Sequence, residues 1–274
     1  MLTKIHVEIP TSQKKSYDIV IGISLEDAAA DIAKLFPNSK CFIVTDSNVY
    51  ELYGMRFEKW LTKHGMKTQC VSFKAGEKYK TRRTKDYLED RILKLGVMRD
   101  SIIIALGGGV VGDIAGFTAA TMQRGIQFIQ IPTTLLAQVD SSVGGKVAVD
   151  HPLGKNLIGA FHQPKRVYID PNTLLTLSDS EYYNGLAEVV KYGAVLDEKF
   201  FNYLERNWIK VIRRDVKTLT CTIERCCLLK AKVVQRDELE TSYRRILNFG
   251  HTIGHAVEST RVDHVPVRNK NFPI

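Results

Sequence analysis

The glycine-rich segment Gly107-Gly108-Gly109-Val110-Val111-Gly112-Asp113 follows an apolar run, residues 102–106, and precedes a helix-like stretch. A short apolar run rich in β-branched residues predicts a buried strand. The glycines match the G-x-G-x-x-G pattern, which allows a backbone to approach a pyrophosphate at the N-terminus of a helix. A second loop, Asp140-Ser141-Ser142-Val143-Gly144-Gly145-Lys146, contains two more glycines and a lysine. Together the two loops predict a site for more than one phosphate-bearing group.

Strand-like and helix-like segments alternate through the first two thirds of the chain. The predicted strands are residues 17–21, 41–44, 69–73, 102–106, 128–131 and 166–169. The predicted helices are residues 25–36, capped by Ser24, 51–63 and 81–95, and residues 45–48 are predicted to be a loop. This alternation is typical of an α/β domain with a parallel, nucleotide-binding sheet.

The pattern becomes helical after residue 171. Apolar spacing predicts helices at residues 182–196, 200–211, 216–234 and 246–257, with no strand between residues 179 and 259. We therefore predict an α/β domain over residues 1–172, an incomplete all-α domain over residues 173–260 and an atypical, proline-containing tail over residues 261–274.

Composition restricts the class of protein. Apolar residues make up 44% and charged residues 25% of the chain, and no segment has the apolar length of a membrane span. Five cysteines without a C-x-x-C pair predict a reduced, cytoplasmic protein. The net charge of +9 fits an anionic small molecule as well as a nucleic acid. Because the basic residues near residues 206–245 alternate with acids, we expect a solvated helix face there and no nucleic-acid partner.

The glycine loop lacks the acid that the Rossmann type places about 20 residues further on. Asp46 and Glu77, at the ends of earlier predicted strands, are alternative partners for a ribose. If the loop binds a dinucleotide, the strand order therefore differs from the Rossmann order.

Polar residues on the predicted C-terminal helices are the next candidates. Glu188 and Lys191 share one face of an otherwise apolar helix, where they form either a surface ion pair or part of a site. Arg244, Asn248 and the pair His251 and His255 form a polar stripe at helical spacing. The histidines are either hydrogen-bonded core residues or ligands of a metal, since helical zinc sites use the i,i+4 spacing.

Several separate motifs together resemble the 3-dehydroquinate synthase family of the sugar-phosphate cyclase superfamily, and they occur in the family's order. They are Gly76-Glu77-x-x-Lys80, the glycine loop, residues 132–146, Lys155-Asn156, Leu186-Ala187-Glu188-x-x-Lys191, Asp237-Glu238 and residues 247–256.

The resemblance implies a phosphorus–oxygen lyase of the shikimate pathway, which leads to chorismate and the aromatic amino acids. Members convert 3-deoxy-D-arabino-heptulosonate 7-phosphate, a phosphorylated seven-carbon sugar acid, into 3-dehydroquinate and phosphate. The reaction proceeds by transient oxidation by NAD, phosphate elimination, reduction and an intramolecular aldol closure. NAD and Zn²⁺, or another divalent metal such as Co²⁺, are the implied cofactors, and a homodimer is the implied assembly.

The resemblance also implies roles for individual residues. Residues expected around the substrate are Asp140, Lys146, Lys191, Lys230, Arg244, Asn248 and His255. Its phosphate is expected to contact Lys146, Asn156 and an Arg124 that reaches in from the other subunit. Residues expected to contact NAD are Asp46, Glu77, Lys80, Gly108, Gly109, Asp113, Thr133, Thr134, Lys155 and Thr176. Glu188 and His251 are the expected metal ligands.

The sequence departs from the family's pattern after residue 259. Members supply the third metal ligand from a His-Gly-Glu-Ala segment, whereas His264, the remaining candidate here, is followed by Val265-Pro266. We therefore expect a C-terminally truncated chain with weak metal binding and little or no activity. The alternatives are another sugar-phosphate cyclase, a metal-dependent polyol dehydrogenase, or a non-catalytic remnant that binds NAD.

Overall fold

A parallel sheet forms the centre of the computed structural model, which describes residues 16–250. Its strands are β1 (Asp18–Ile21), β2 (Cys41–Asp46), β3 (Thr68–Phe73), β4 (Ile102–Gly107), β5 (Gln127–Pro132) and β8 (Arg166–Ile169), and β6 (Lys146–His151) and β7 (Gly154–Phe161) form a separate hairpin. The sheet order is β1-β8-β5-β4-β2-β3, with parallel pairing throughout. The predicted parallel α/β sheet is therefore confirmed, and its strand order is not that of the Rossmann fold.

Helices cover both faces of this sheet. They are α1 (Leu25–Leu35), α2 (Ser47–Val49), a π-helical turn (Tyr50–Gly54), α3 (Met55–Lys63), α4 (Arg82–Lys94) and α5 (Gly109–Thr121). Alternate residues of a strand point to opposite faces. Ile102 and Ile104 of β4 accordingly pack with α1 and α3, whereas Ile103 and Ala105 pack with α4 and α5. The central strands are buried on both faces, which explains their largely apolar sequences.

Three longer helices follow β8 and a 3-10 helix at Pro171–Thr176. They are α6 (Asp179–Leu196), α7 (Glu198–Ile212) and α8 (Val216–Arg236). The side chains of Ser178, Asp197 and Asp215 accept a backbone N–H in the first turn of each helix. Val167 and Ile169 of β8 belong to the same apolar core as these helices, so the helical part packs directly on the sheet. None of the helices within residues 16–250 combines the length and apolar character that a membrane crossing requires.

Three local predictions were wrong or incomplete. The predicted loop at residues 45–48 is the end of β2 and the start of α2, because the Asp46 carboxylate accepts the backbone N–H of Asn48 and of Val49. The hairpin of β6 and β7 was not predicted. The predicted helix at residues 246–257 is, in its described part, a 3-10 helix at Tyr243–Asn248 that ends before Gly250, which has φ of 80°.

Candidate active site

The glycine loop joins the end of β4 to the start of α5. Gly108 has extended backbone before α5, and no side chain caps the first turn of this helix. A Cβ at Gly108 would lie 2.9 Å from Thr134 Cγ2, and a Cβ at Gly109 would lie 3.1 Å from Ser141 Oγ. Glycine at these positions thus lets the loop pack closely against Thr134 and Ser141. The N–H groups of the first turn of a helix are a suitable environment for an anion.

The residues expected to contact NAD follow the carboxyl ends of five strands. Ligands of open parallel α/β sheets bind at this edge. The residues and their strands are Asp46 as the last residue of β2, Glu77 and Lys80 after β3, Gly108, Gly109 and Asp113 after β4, Thr133 and Thr134 after β5, and Thr176 after β8. Lys155 lies instead on β7 of the hairpin. Apart from Lys155, the structure therefore places these residues along one edge of the sheet.

Lys80 links Asp113, which is expected to contact NAD, to Asn156, which is expected to contact the substrate phosphate. Its Nζ lies 2.5 Å from Asp113 Oδ2 and donates a 2.5 Å hydrogen bond to Asn156 Oδ1. Burial raises the pKa of Asp113 to about 6, and the charge of Lys80 only partly opposes this effect. Asn156 has φ of 59° and donates its backbone N–H to Asp150. The hairpin is therefore fastened to the sheet at this point.

A cavity of about 530 Å³ lies between the hairpin, the loop after β5 and the helical part. Its charged and polar lining residues are Asp113, Asp140, Ser141, Lys146, Asn156, Lys230 and Arg244. These residues lie on elements from both the sheet and the helical part, so the packing of the two parts determines the shape of the cavity.

Asp140 accepts hydrogen bonds from two buried donors in the cavity wall. Lys230 Nζ lies 2.8 Å from Oδ1 and donates a 2.6 Å bond to the backbone carbonyl, and Tyr192 donates a 2.6 Å bond to Oδ1. Burial alone would raise the pKa of Asp140, but the charge and hydrogen bond of Lys230, aided by Tyr192, lower it to about 2. Burial lowers the pKa of Lys230 despite the opposing effect of Asp140. Asp140 is thus an ionised acceptor at neutral pH.

Lys146 and Arg244 add positive charge to the wall of the cavity. Burial, followed by the charges of Arg244 and Lys230, lowers the pKa of Lys146 to about 8. Arg244 is 3% exposed, and its Nη1 donates to the carbonyls of Glu238 at 2.6 Å and Gly144 at 3.4 Å. The fixed guanidinium of Arg244 and the half-exposed ammonium of Lys146 are donors that suit phosphate or carboxylate groups.

Two family models match the chain in succession, 3-dehydroquinate synthase N-terminal over residues 70–184 and 3-dehydroquinate synthase C-terminal over residues 185–265. The chain belongs to the 3-dehydroquinate synthase family. This finding confirms the resemblance that the motifs predicted.

Individual members of the 3-dehydroquinate synthase family align over most of the chain. The 3-dehydroquinate synthase of Caldanaerobacter subterraneus subsp. tengcongensis is 53% identical over 248 residues, which cover 90% of this chain and 70% of the relative. That of Vibrio atlanticus is 48% identical over 246 residues, covering 90% and 68%.

Two solved cyclase structures share the fold of this family member. ValA, a 2-epi-5-epi-valiolone synthase from Streptomyces hygroscopicus subsp. jinggangensis with NAD⁺ and Zn²⁺ bound, has a TM-score of 0.85 at 28% identity, covering 95% of this chain and 73% of ValA. A 2-deoxy-scyllo-inosose synthase complexed with carbaglucose-6-phosphate, NAD⁺ and Co²⁺ has a TM-score of 0.82 at 30% identity, covering 91% and 68%.

Glu188 is the predicted metal ligand that lies among the described residues. It forms an ion pair with Lys191 one turn later on α6, and Lys191 Nζ also donates a 2.7 Å hydrogen bond to the Leu247 carbonyl. The side chains are only 16% and 9% exposed, so the pair is not an ordinary surface ion pair. Between residues 16 and 250, no group of three or more His, Cys, Asp or Glu side chains could hold a metal ion. The expected ligands His251 and His264, and the substrate residue His255, lie outside the described residues.

Arg124 lies apart from the other expected phosphate residues. It ends the short 3-10 helix that follows α5, about 20 Å along the helix axis from the glycine loop, as expected for 13 residues. Gln123 and Arg124 have φ of 49° and 67°, and Arg124 is exposed. Within one chain Arg124 does not line the cavity. Its expected action from a second subunit stays a prediction.

Tyr192 and Glu240 were missed in the sequence. Tyr192 directly follows Lys191, and the i,i+4 spacing from Glu188 could have placed it on the same helix face. Glu240 lies four residues before Arg244, within the Asp237–Asn248 region, and forms an ion pair with Lys146. No spacing rule relates Glu240 to Lys146, because the two residues meet only through the tertiary fold.

Proposed function

We propose that this chain catalyses the conversion of 3-deoxy-D-arabino-heptulosonate 7-phosphate into 3-dehydroquinate and phosphate within the described cavity. The observation that carries this proposal is the convergence of Asp140, Lys146, Lys230 and Arg244 on one cavity beside the uncapped glycine loop. A phosphorylated sugar acid carries two anionic groups and several hydroxyls, which these donors and this acceptor can bind separately.

Among the described residues, the set that would bind NAD is more complete than the set that would bind a metal. Among the described residues no side chain caps the first turn of α5, so its N–H groups can bind a pyrophosphate, and Asp46, Thr133 and Thr134 lie along the same edge. Glu188 would contribute one carboxylate ligand to a zinc or cobalt ion, with His251 as its proposed companion. When bound, NAD supplies reversible hydride transfer and the metal supplies Lewis acidity towards substrate oxygens.

The proposed roles of the protein side chains follow from charge and position. The ionised carboxylate of Asp140 would accept a hydrogen bond from a substrate hydroxyl, and Lys230 keeps that carboxylate oriented. Lys146 and Asn156 would bind the phosphate and stabilise the charge that it gains as it leaves. Arg244, fixed by two backbone carbonyls, would bind the carboxylate of the sugar acid. Lys191, Asn248 and His255 would complete the surroundings of the substrate.

The assembly and domain division belong to the same proposal. We propose a homodimer in which Arg124 of one subunit contributes to the phosphate site of the other, since Arg124 is exposed and distant from its own cavity. The α/β domain would extend to residue 172 and the helical domain would begin at residue 173. A cytoplasmic location is consistent with five cysteines that are all unpaired.

The test measures 3-dehydroquinate and phosphate in parallel, with NAD and a divalent metal supplied. We expect equal amounts of the two products and no product when NAD is omitted. The variant Lys146→Met should release phosphate at least about a hundredfold more slowly, the typical effect of removing one donor from a developing anion. Lys165→Met removes an exposed lysine outside the cavity and should retain the wild-type rate.

Three results would contradict parts of this proposal. Phosphate release from a hexose 6-phosphate alone would indicate another cyclase of the superfamily. NAD binding without any turnover would indicate a non-catalytic remnant. Equal rates for Lys146→Met and Lys165→Met would remove Lys146 from the phosphate site. The expectation of little or no activity, made from the sequence, is the opposite of this proposal, and the same assay decides between the two.

A further inference from the structure

Glu240 places a carboxylate among three residues that the proposed function assigns to the substrate. It forms an ion pair with Lys146, and its Oε1 accepts a 3.0 Å hydrogen bond from Asn248 Nδ2. Its Oε2 lies 3.9 Å from Arg244 Nε. The side chain of Glu240 is 17% exposed. One protein carboxylate therefore contacts the donors that a phosphate or carboxylate of the substrate would need.

The loop before Arg244 is built in a way that holds Glu240 in this position. The Asp237 carboxylate accepts the backbone N–H groups of Thr241, Ser242 and Arg244 at 2.8–3.0 Å. Glu240 has φ of 58°, a left-handed conformation that is unfavourable for a residue with a side chain. Such a conformation persists only where surrounding contacts enforce it. The contacts of the loop therefore fix the position of Glu240.

Electrostatics explains what the carboxylate does there. Lys146, Lys230 and Arg244 lie close enough for the last two to lower the pKa of Lys146, so their positive charges repel one another. Asp140 is already paired with Lys230. Asp237 also lies close enough to raise the pKa of Lys146, but it is Glu240 that forms the ion pair with Lys146. An anionic ligand that binds Lys146 and Arg244 would therefore compete with Glu240.

We propose that Glu240 is a built-in competitor of anionic ligands: it holds Lys146, Arg244 and Asn248 in the free protein and leaves them when a phosphate or carboxylate group binds. This inference rests on the proposed function of the cavity and adds a regulated step to it. The carboxylate keeps the donors oriented before binding and weakens the retention of free phosphate after elimination.

The test is calorimetric titration of the full chain with inorganic phosphate. The variant Glu240→Gln keeps the size of the side chain and removes its charge, so phosphate should bind about fivefold more tightly, the effect of one partly exposed charge interaction. Glu224→Gln removes an exposed charge from α8 and serves as the matched control, with wild-type affinity expected. Phosphate affinity that is unchanged or weaker in Glu240→Gln would overturn the proposal.

Two further measurements keep the test decisive. Glu240→Ala should bind phosphate more tightly in the same direction if the charge is what matters. If either variant melts well below the wild type, a wild-type structure with phosphate decides: Glu240 should have left Lys146, and an intact Glu240–Lys146 pair with phosphate elsewhere contradicts the inference. Tighter phosphate binding without turnover of the sugar phosphate would count against the proposed function and leave the role of Glu240 standing.

Discussion

At Asp113, the cost of burying a carboxylate exceeds the benefit of its ion pair with Lys80. Its pKa rises from 3.8 to about 6 although Lys80 Nζ lies 2.5 Å away. In the unfolded chain the carboxyl loses its proton near pH 4, whereas in the folded chain it keeps the proton until about pH 6. The folded state is therefore favoured at low pH, and this contribution is lost as the pH rises from about 4 to about 6.

This linkage predicts the behaviour of Asp113→Asn, which cannot ionise. From pH 4 to pH 7, the free energy of unfolding of the wild type should fall by about 3 kcal/mol relative to the variant, the equivalent of a shift of about two pKa units. Urea denaturation of both proteins at several pH values measures the difference. Asp90→Asn, which removes an exposed carboxylate of α4, controls for the loss of a negative charge. A difference that is constant with pH would contradict the buried, protonated Asp113.

Residues of the candidate site were predictable where a local motif surrounds them. Lys146, Asn156 and Glu188 lie in motifs whose glycines or helical spacing are visible in the sequence. Tyr192 and Glu240 were not predictable in this way, because each acts through a residue more than 50 positions away in sequence, Asp140 and Lys146 respectively. Contacts at that distance depend on how the helical part packs on the sheet.

At the scale of elements, burial decided which strands could be predicted. β2, β4 and β5 are buried on both faces, and most of their residues are apolar. β7 was missed because most of its residues are exposed or half-buried and glycines interrupt its alternation. The predicted helix that begins at residue 246 failed for another reason. The carboxylate of Asp237 accepts the N–H groups of Thr241 and Ser242 before the 3-10 helix and of Arg244 within it, so the chain enters a 3-10 helix at Tyr243.

The junction of β4 and α5 gives a prediction about NAD. Gly109→Val places a Cβ 3.1 Å from Ser141 Oγ and adds methyl groups beside the first-turn N–H groups of α5. NAD affinity should fall at least about tenfold, which corresponds to about 1.4 kcal/mol. Calorimetric titration with NAD measures this change. Ala120→Val adds bulk near the other end of α5 and should bind NAD as the wild type does. Equal NAD affinity in Gly109→Val and the wild type would remove the loop from the cofactor site.

At the scale of the whole molecule, the contact between α6 and the loop after β5 determines how the helical part packs on the sheet. Gly185 lies so close to this loop that a Cβ would be 2.6 Å from the backbone nitrogen of Leu136 and 2.7 Å from Leu135 Cβ. Two turns further along α6, Tyr192 donates its hydrogen bond to Asp140. The absence of a side chain at Gly185 thus sets the distance at which the helical part meets the acceptor in the cavity.

Gly185→Val should therefore weaken the binding of phosphate and leave the binding of NAD almost unchanged. Valine forces α6 away from the backbone of Leu136, so the free energy of unfolding should fall by about 1–3 kcal/mol, as for other overpacked sites. Phosphate affinity should fall as well, because Lys230 and Arg244 of the helical part move away from Lys146 and Asn156. NAD affinity should stay within about twofold, about 0.4 kcal/mol, because the glycine loop and the strand ends lie on the sheet side of this contact.

Urea denaturation measures the free energy of unfolding of Gly185→Val, and two calorimetric titrations measure its affinities for phosphate and NAD. Ala187→Val, at an exposed position of the same helix, is the control. If NAD affinity and phosphate affinity both fell, NAD binding would also depend on the packing of α6 against the loop after β5. The claim that this contact affects only phosphate binding would then be wrong.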